Sequence, residues 1–279
     1  MAKVNRFDAL YNPRLAVPEF SNIAAKWDDL SRRARRELDC YLDVPYGTSP
    51  DETMDIFRAN GPSRGFLIFI HGGYWRALDK ANHSWLAPAL VDAGITVGIP
   101  NYSLCPKVQV RDIVMQLVQA CAWGYRNGGN FGAPRERLFV CGHSAGGHLT
   151  AMMLACHWPV YASDLPKNVV KGGLSISGVF DLQDIVKVPS INSDVHLTPA
   201  TAEESSPAGM PPSTDAPLYL SVGGAETGGF LTQHELMVRS WRSVIARAEV
   251  SPGKNHFTIL EELISRDSQV DRQLQAMLQ

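Results

Sequence analysis

Long apolar runs, a surplus of one charge and a cysteine framework are all missing from this 279-residue sequence. No hydrophobic stretch approaches the ~20 residues needed to cross a bilayer. The opening residues, MAKVNRFDAL, lack the uninterrupted apolar core of a signal peptide. Lys and Arg number 26 against 28 Asp and Glu, a formal charge of -2. A chain so balanced is not built to grip nucleic acid or an anionic membrane. The local exception, Arg32, Arg33, Arg35 and Arg36, is followed by Glu37 and Asp39 and reads as a solvated helix face. Five cysteines (Cys40, Cys105, Cys121, Cys141, Cys156) form an odd set with no CxxC pair, which excludes a disulfide framework and reads as reduced packing thiols. Neither HxH nor HExxH occurs, so no metal is expected. These absences lead to an expected cytoplasmic protein acting on a small molecule without a cofactor, with room for a homodimer.

What is present alternates. After a leader of residues 1–60, with an amphipathic helical stretch near Asn22–Leu38 and a short strand at Met54–Arg58, comes the buried-strand run Gly65–Ile70, GFLIFI. Helical and strand patterns then follow in turn: helix Ala81–Asp92, strand Ile95–Ile99, helix Val110–Tyr125, strand Arg137–Cys141 and helix Ala145–Cys156. Strands Val170–Ser175 and Pro217–Val222, helix Leu231–Ala246, strand Ala248–Val250 and helical patterns at Thr258–Ile264 and Asp267–Leu278 complete the chain. Strand–helix alternation demands crossover connections, hence an α/β fold with a mostly parallel sheet covered on both faces. The length suits one such domain, residues 1–279. Between about 180 and 215 the pattern lapses into Pro, Ser and Thr, and a long connection there is expected to form a small lid.

The sharpest local signal is Gly142-His143-Ser144-Ala145-Gly146-Gly147, directly after a strand and directly before a helix. A tight strand-to-helix turn lifts one side chain above the sheet edge, and the glycines two residues either side leave space where the backbone doubles back. The helix that begins there turns its N-terminal amides toward any negative charge forming near Ser144. Attack on a carbonyl also needs donors for the oxyanion. His71-Gly72-Gly73-Tyr74-Trp75 follows an earlier buried strand; Gly72 is expected to make the turn, and the N–H groups of Gly73, Tyr74 and Ala145 to be the donors.

A base for Ser144 should come late in the chain. His71 and His83 precede the serine, His143 belongs to the turn and His148 lies one helical turn on. His157 and His196 have no strand-end context, and His234 falls inside an expected helix. His256 sits in a short loop after the final strand, where an imidazole can reach the serine. The orienting carboxylate is expected at Glu226, the first acid after strand Pro217–Val222; Asp181, after the preceding strand, remains the alternative.

With these residues in hand the sequence resembles the α/β-hydrolase kynurenine formamidases (arylformamidases) and the neighbouring hormone-sensitive-lipase-like esterases. The likeness rests on His71–Trp75, the glycine-flanked serine and the pair Glu226 and His256. It extends to Tyr11-Asn12-Pro13-Arg14, Val17-Pro18, Trp27, Leu42–Gly47 and Asn101–Pro106. Glu226 stands where animal members of the group usually carry aspartate. The resemblance implies an α/β-hydrolase fold and metal-independent hydrolysis of N-formyl-L-kynurenine through a formyl-enzyme, with activity on small esters. Trp75, Tyr102, Phe180 and Phe257 are the aromatic residues expected to wall the substrate pocket. Two other readings stand beside it: a broad short-chain carboxylesterase, which shares every catalytic atom, and a hydrolase-fold binding protein without turnover.

Overall fold

The computed structural model describes residues 5–279; the first four residues of the expected leader lie outside them. The strands are β1 (Cys40–Pro45), β2 (Thr53–Phe57), β3 (Phe66–Ile70), β4 (Thr96–Pro100), β5 (Leu138–His143), β6 (Val170–Ile176), β7 (Leu218–Gly223) and β8 (Ile245–Ser251). The helices are α1 (Arg6–Tyr11), α2 (Pro13–Ala16), α3 (Phe20–Glu37), α4 (Ala87–Asp92), α5 (Val110–Asn127), α6 (Ala145–Ala155), α7 (Trp158–Tyr161), α8 (Pro189–Val195), α9 (Pro199–Glu204), α10 (Gly228–Ser240) and α11 (Gln269–Met277). One eight-stranded sheet runs β1-β2-β4-β3-β5-β6-β7-β8. Its β1–β2 and β2–β4 pairs are antiparallel and the rest are parallel.

The unbroken apolar run of β3 is explained by burial on both faces. Phe66, Ile68 and Ile70 enter the layer that includes α5 and α6, while Leu67 and Phe69 enter the opposite layer with α4 and α11. Alternate residues of a strand point to opposite faces, so a strand covered on both sides must be apolar throughout. Helix α6 packs directly behind β5 and β6 and is buried along nearly its whole length. Among the described residues no helix is long and apolar enough to cross a membrane.

Strand β1 and helix α10 differ from the sequence expectation. Strand β1 falls between the expected helix Asn22–Leu38 and the expected strand Met54–Arg58, where no strand is expected: it lies at the sheet edge, is mostly exposed, and is broken by a bulge between Tyr41 and Val44, with Asp43 at φ 56°. Exposure and the bulge erase the alternation that would reveal it. Helix α10 stops at Ser240 rather than Ala246, because Trp241 is buried with its indole N–H shared between the carbonyls of Pro207 and Met210, at 3.0 and 2.7 Å. Ile245 onward then pairs with β7. The stretch 180–215 is built of α8, α9 and short 3₁₀ turns, packed through Ile185, Val188, Ile191, Val195 and Ala202.

The bulge in β1 serves a buried charge cluster. Lys80 is almost wholly buried, with Nζ 2.6 Å from both Asp43 Oδ1 and Asp55 Oδ1. Asp55 has no exposure, and its second oxygen lies 3.7 Å from Arg35 Nε. Removing one partner of such a pair strands a charge in the core, which costs about 3–5 kcal/mol. Lys80→Met is therefore expected to lose that much stability in urea unfolding, and Lys80→Met combined with Asp55→Asn to recover part of it. Independent, additive losses would show that the cluster is not coupled.

Candidate active site

Ser144 stands between β5 and α6 at φ 57° and ψ -117°, a conformation few L-residues adopt. Two close approaches impose it. A Cβ on Gly142 would lie 2.1 Å from the Gly146 carbonyl oxygen, and one on Gly146 would lie 2.0 Å from that of Ile70. The Ser144 N–H donates to the Ile176 carbonyl at 2.8 Å, which ties the turn to the end of β6. The hydroxyl-bearing residue thus sits above the carboxyl edge of the sheet, at the N-terminus of a buried helix.

The loop after β3 folds over the same edge. Gly73, Tyr74 and Trp75 take φ values of 106°, 51° and 57°, so the backbone reverses over three residues. A Cβ on Gly72 would come within 3.2 Å of Ser144 Cβ, which places this loop directly against the serine. His71 Nδ1–H donates to the Gly72 carbonyl at 2.8 Å, and the Tyr102 hydroxyl donates to the His71 carbonyl at 2.9 Å. The two rings stack at 4.3 Å. Because C=O and N–H point opposite ways in a trans peptide, holding the Gly72 carbonyl behind the loop turns the Gly73 N–H forward. Among the described residues, no acceptor meets the N–H groups of Gly73, Tyr74 or Ala145.

His256 and Glu226 come from neighbouring strand ends, after β8 and β7. Glu226 Oε2 accepts from His256 Nδ1–H at 2.6 Å. Its other oxygen accepts from the Ser177 hydroxyl at 2.5 Å and from the Gly223 N–H at 2.7 Å. Three donors on a carboxylate with no solvent exposure fix its position. The Ala225 and Gly224 N–H groups donate to the carbonyls of Lys254 and Ser251, at 2.9 and 2.8 Å, and so lock the acid's turn to the histidine's loop. His143 donates through Nε2 to the His256 carbonyl at 2.7 Å, and Phe230 packs on the His256 ring at 4.2 Å. With Nδ1 donating to Glu226, Nε2 of His256 is left with its lone pair. Asp181, the alternative acid, instead accepts the Gln183 N–H at 2.9 Å.

Ser144 and His256 line one cavity of about 320 Å³, at the small end of ligand pockets. Gly73, Tyr74 and Phe257 line it as well. Trp75, Tyr102 and Phe180 do not; all three are core residues, and their expected place on the pocket wall is corrected here. The reversed backbone turns Trp75 inward, edge-on to His148 at 5.1 Å. The aromatic wall is Phe20, Trp27, Tyr74 and Phe257. Asn12, Pro13, Arg14, Arg76, Ser190 and Ile191 also line it, none of them anticipated as pocket residues. Among the hydrogen bonds that hold the leader there, the Tyr74 hydroxyl donates to the Tyr11 carbonyl at 2.5 Å, and the Thr227 hydroxyl donates to the Leu10 carbonyl at 2.5 Å. The stretch 180–215 reaches the cavity through Ser190 and Ile191.

A family model described as the alpha/beta hydrolase fold matches residues 67–238. Kynurenine formamidase of Danio rerio is 30% identical over 265 residues, covering 89% of this chain and 85% of that protein. Kynurenine formamidase of Salmo salar is 29% identical with the same coverage. Among solved structures, a provisionally assigned thioesterase from Silicibacter sp. TM1040 superposes with a TM-score of 0.83 at 29% identity, over 96% of this chain and 98% of the other.

Besides His256 and His234, four imidazoles are buried: His71, His83, His143 and His148. Burial, which penalises the charged ring, is the main cause that lowers each of them, His148 to about 4 and His83 to about 3, the latter helped by His71. In the unfolded chain each titrates near 6.5. Above that pH neither state holds the proton, and the full stability is present. As pH falls from about 6.5, the unfolded chain takes up protons that the fold refuses. Stability then drops by about 1.4 kcal/mol per histidine for each pH unit. Urea melts between pH 8 and pH 5 are expected to show a plateau and then a steep decline beginning near 6.5. A free energy that stays level down to pH 5 contradicts this.

Proposed function

Because the chain belongs to the alpha/beta hydrolase family and is a homologue of the kynurenine formamidases, we propose that it is a serine hydrolase that cleaves N-formyl-L-kynurenine, or a similar aryl formamide, to formate and the free arylamine. Hydrolysis as such follows from the membership; the serine chemistry and the substrate are our reading. The observation that carries it is the 2.6 Å contact from Glu226 to His256 beside a cavity that the raised Ser144 shares.

In this reading Ser144 Oγ attacks the formyl carbon while His256 Nε2 takes its proton. Glu226 holds the imidazole in the tautomer with Nδ1–H and stabilises the imidazolium that forms. The negative oxygen is received by the N–H groups of Gly73, Tyr74 and Ala145, which have no protein acceptor to lose. Each such donor is worth about 10²–10³ in rate. His256 then gives its proton to the leaving aryl nitrogen. A water, deprotonated by the same imidazole, resolves the formyl-enzyme. A formyl group needs almost no acyl pocket, and the aryl part finds Phe20, Trp27 and Phe257.

Purified protein is expected to turn over N-formyl-L-kynurenine with a kcat/KM above that for p-nitrophenyl acetate. An enzyme that leaves the anilide untouched while cleaving the ester freely is a carboxylesterase, and the formamidase reading then falls. Ser144→Ala is expected to abolish labelling by a fluorophosphonate and to lower kcat by at least about 10⁴. Labelling that survives the substitution would remove Ser144 from its role. Ser177→Ala, which takes one donor from Glu226, is expected to lower kcat about tenfold and to leave fluorophosphonate labelling complete.

A further inference from the structure

The cavity that holds Ser144 and His256 carries two guanidinium groups and no carboxylate among its lining residues. Arg76 is neutralised by an ion pair with Asp194. Arg14 has no such partner: among the described residues no carboxylate pairs with it, and its five N–H donors meet no acceptor. Its guanidinium instead lies over the Phe20 ring, 4.6 Å from the centroid, at the exposed rim of the cavity. Stacking on an aromatic face leaves the edge of the fork open for a planar anion. Burial and, after it, the nearby positive charge of Arg76 both work against the Arg14 charge. A bound anion would counter the repulsion from Arg76.

The residue is also held in place. Arg14 lies in the short helix α2, which begins at Pro13, and the backbone just before it is fastened by the Tyr74 hydroxyl at Tyr11. Asn12 is tied to Ser190, its side-chain amide donating to the hydroxyl at 3.1 Å, and Ser190 in turn donates to Asp8. Tyr74, which lines the cavity beside Ser144, therefore joins the reacting end to the segment that carries Arg14.

From this arrangement we propose that Arg14 is the specificity-determining residue of the site, binding a carboxylate carried by the leaving-group half of the substrate. The inference rests on the reading of Ser144 as nucleophile but not on the formamide being the bond cleaved. The aromatic wall takes the body of the leaving group, and Arg14 at the rim takes its charge with two parallel N–H···O bonds. Substrates whose leaving half is neutral gain nothing from it. The site then selects anionic aryl amides or esters over neutral ones of the same shape.

Two substrate pairs test this. One is N-formyl-L-kynurenine and its methyl ester; the other is 4-acetoxybenzoate and its methyl ester, each pair differing in a single carboxylate. In the wild-type protein the anionic member of each pair is expected to have the higher kcat/KM. Arg14→Gln is expected to cut that preference about tenfold or more, mainly through KM, the range of one charge-assisted contact. Arg14→Lys keeps the charge without the fork and is expected to restore part of the preference. A preference equal in wild type and Arg14→Gln overturns the assignment, as does a loss that appears in kcat alone. If neither formyl compound is hydrolysed but the acetoxybenzoate preference collapses in Arg14→Gln, the formamidase reading fails while the anion site stands.

Discussion

Everything at this site depends on a reversal of direction at Ser144 that leaves no room for a side chain on either flank. The strained φ at that position costs on the order of 1–3 kcal/mol in an unsupported chain. Here it is over-determined. β5 lies in the middle of the sheet, between β3 and β6, and α6 is buried against it. The amide of Ser144 is bonded across to β6. A turn fixed by a strand on one side and a packed helix on the other cannot relax without opening the core. The backbone that carries the Ser144 hydroxyl is therefore fixed by the fold itself.

That fixed point organises the loops around it. Parallel strands end on the same edge, so the chain emerging from β3, β7 and β8 arrives beside Ser144 without long connections. The loop after β3 comes within van der Waals reach of the serine at Gly72. The turn after β7 carries Glu226 and the turn after β8 carries His256, and backbone bonds between these two turns make them a single unit. The leader closes the remaining side. Its helices α1 and α2 join no strand, yet Tyr11 and its neighbours are fastened to Tyr74 and to the start of α10. Sequence distance is large and spatial distance is small, and it is this segment that gives the cavity its charge.

The parts of the fold and site that were legible in the sequence are those whose chemistry demands a local pattern. Gly142 and Gly146 around Ser144 are required by the turn itself, and a both-faces-buried strand must read as GFLIFI. The late histidine and the acid before it follow from chain order. Pocket walls have no such signature. Trp75 and Tyr102 sit beside the loop motif in sequence, but the positive φ values at Tyr74 and Trp75 turn the indole into the core, and Tyr102 lies behind the loop on His71. Phe180 is likewise a core residue. The real walls, Phe20, Trp27 and Arg14, are brought in by tertiary packing. Strand β1 was hidden for a different reason: an edge strand with a bulge has no alternation to read.

The histidines show how one protein interior assigns different work to the same side chain. His71, His143 and His148 each donate one ring N–H to a backbone carbonyl, of Gly72, His256 and Ser205. A carbonyl carries only a partial charge, so it orients a neutral imidazole without offsetting the cost of burying a charged one. Among the described histidines, His256 alone has a carboxylate, and that carboxylate is itself held by two other donors. Glu226 thus sets His256 apart from the other buried rings. His71 and His143, kept neutral by burial, shape the loop after β3 and hold the His256 loop in place. In the proposed mechanism the division between positioning and proton transfer follows from a single side chain, Glu226, placed three residues beyond the end of a buried strand.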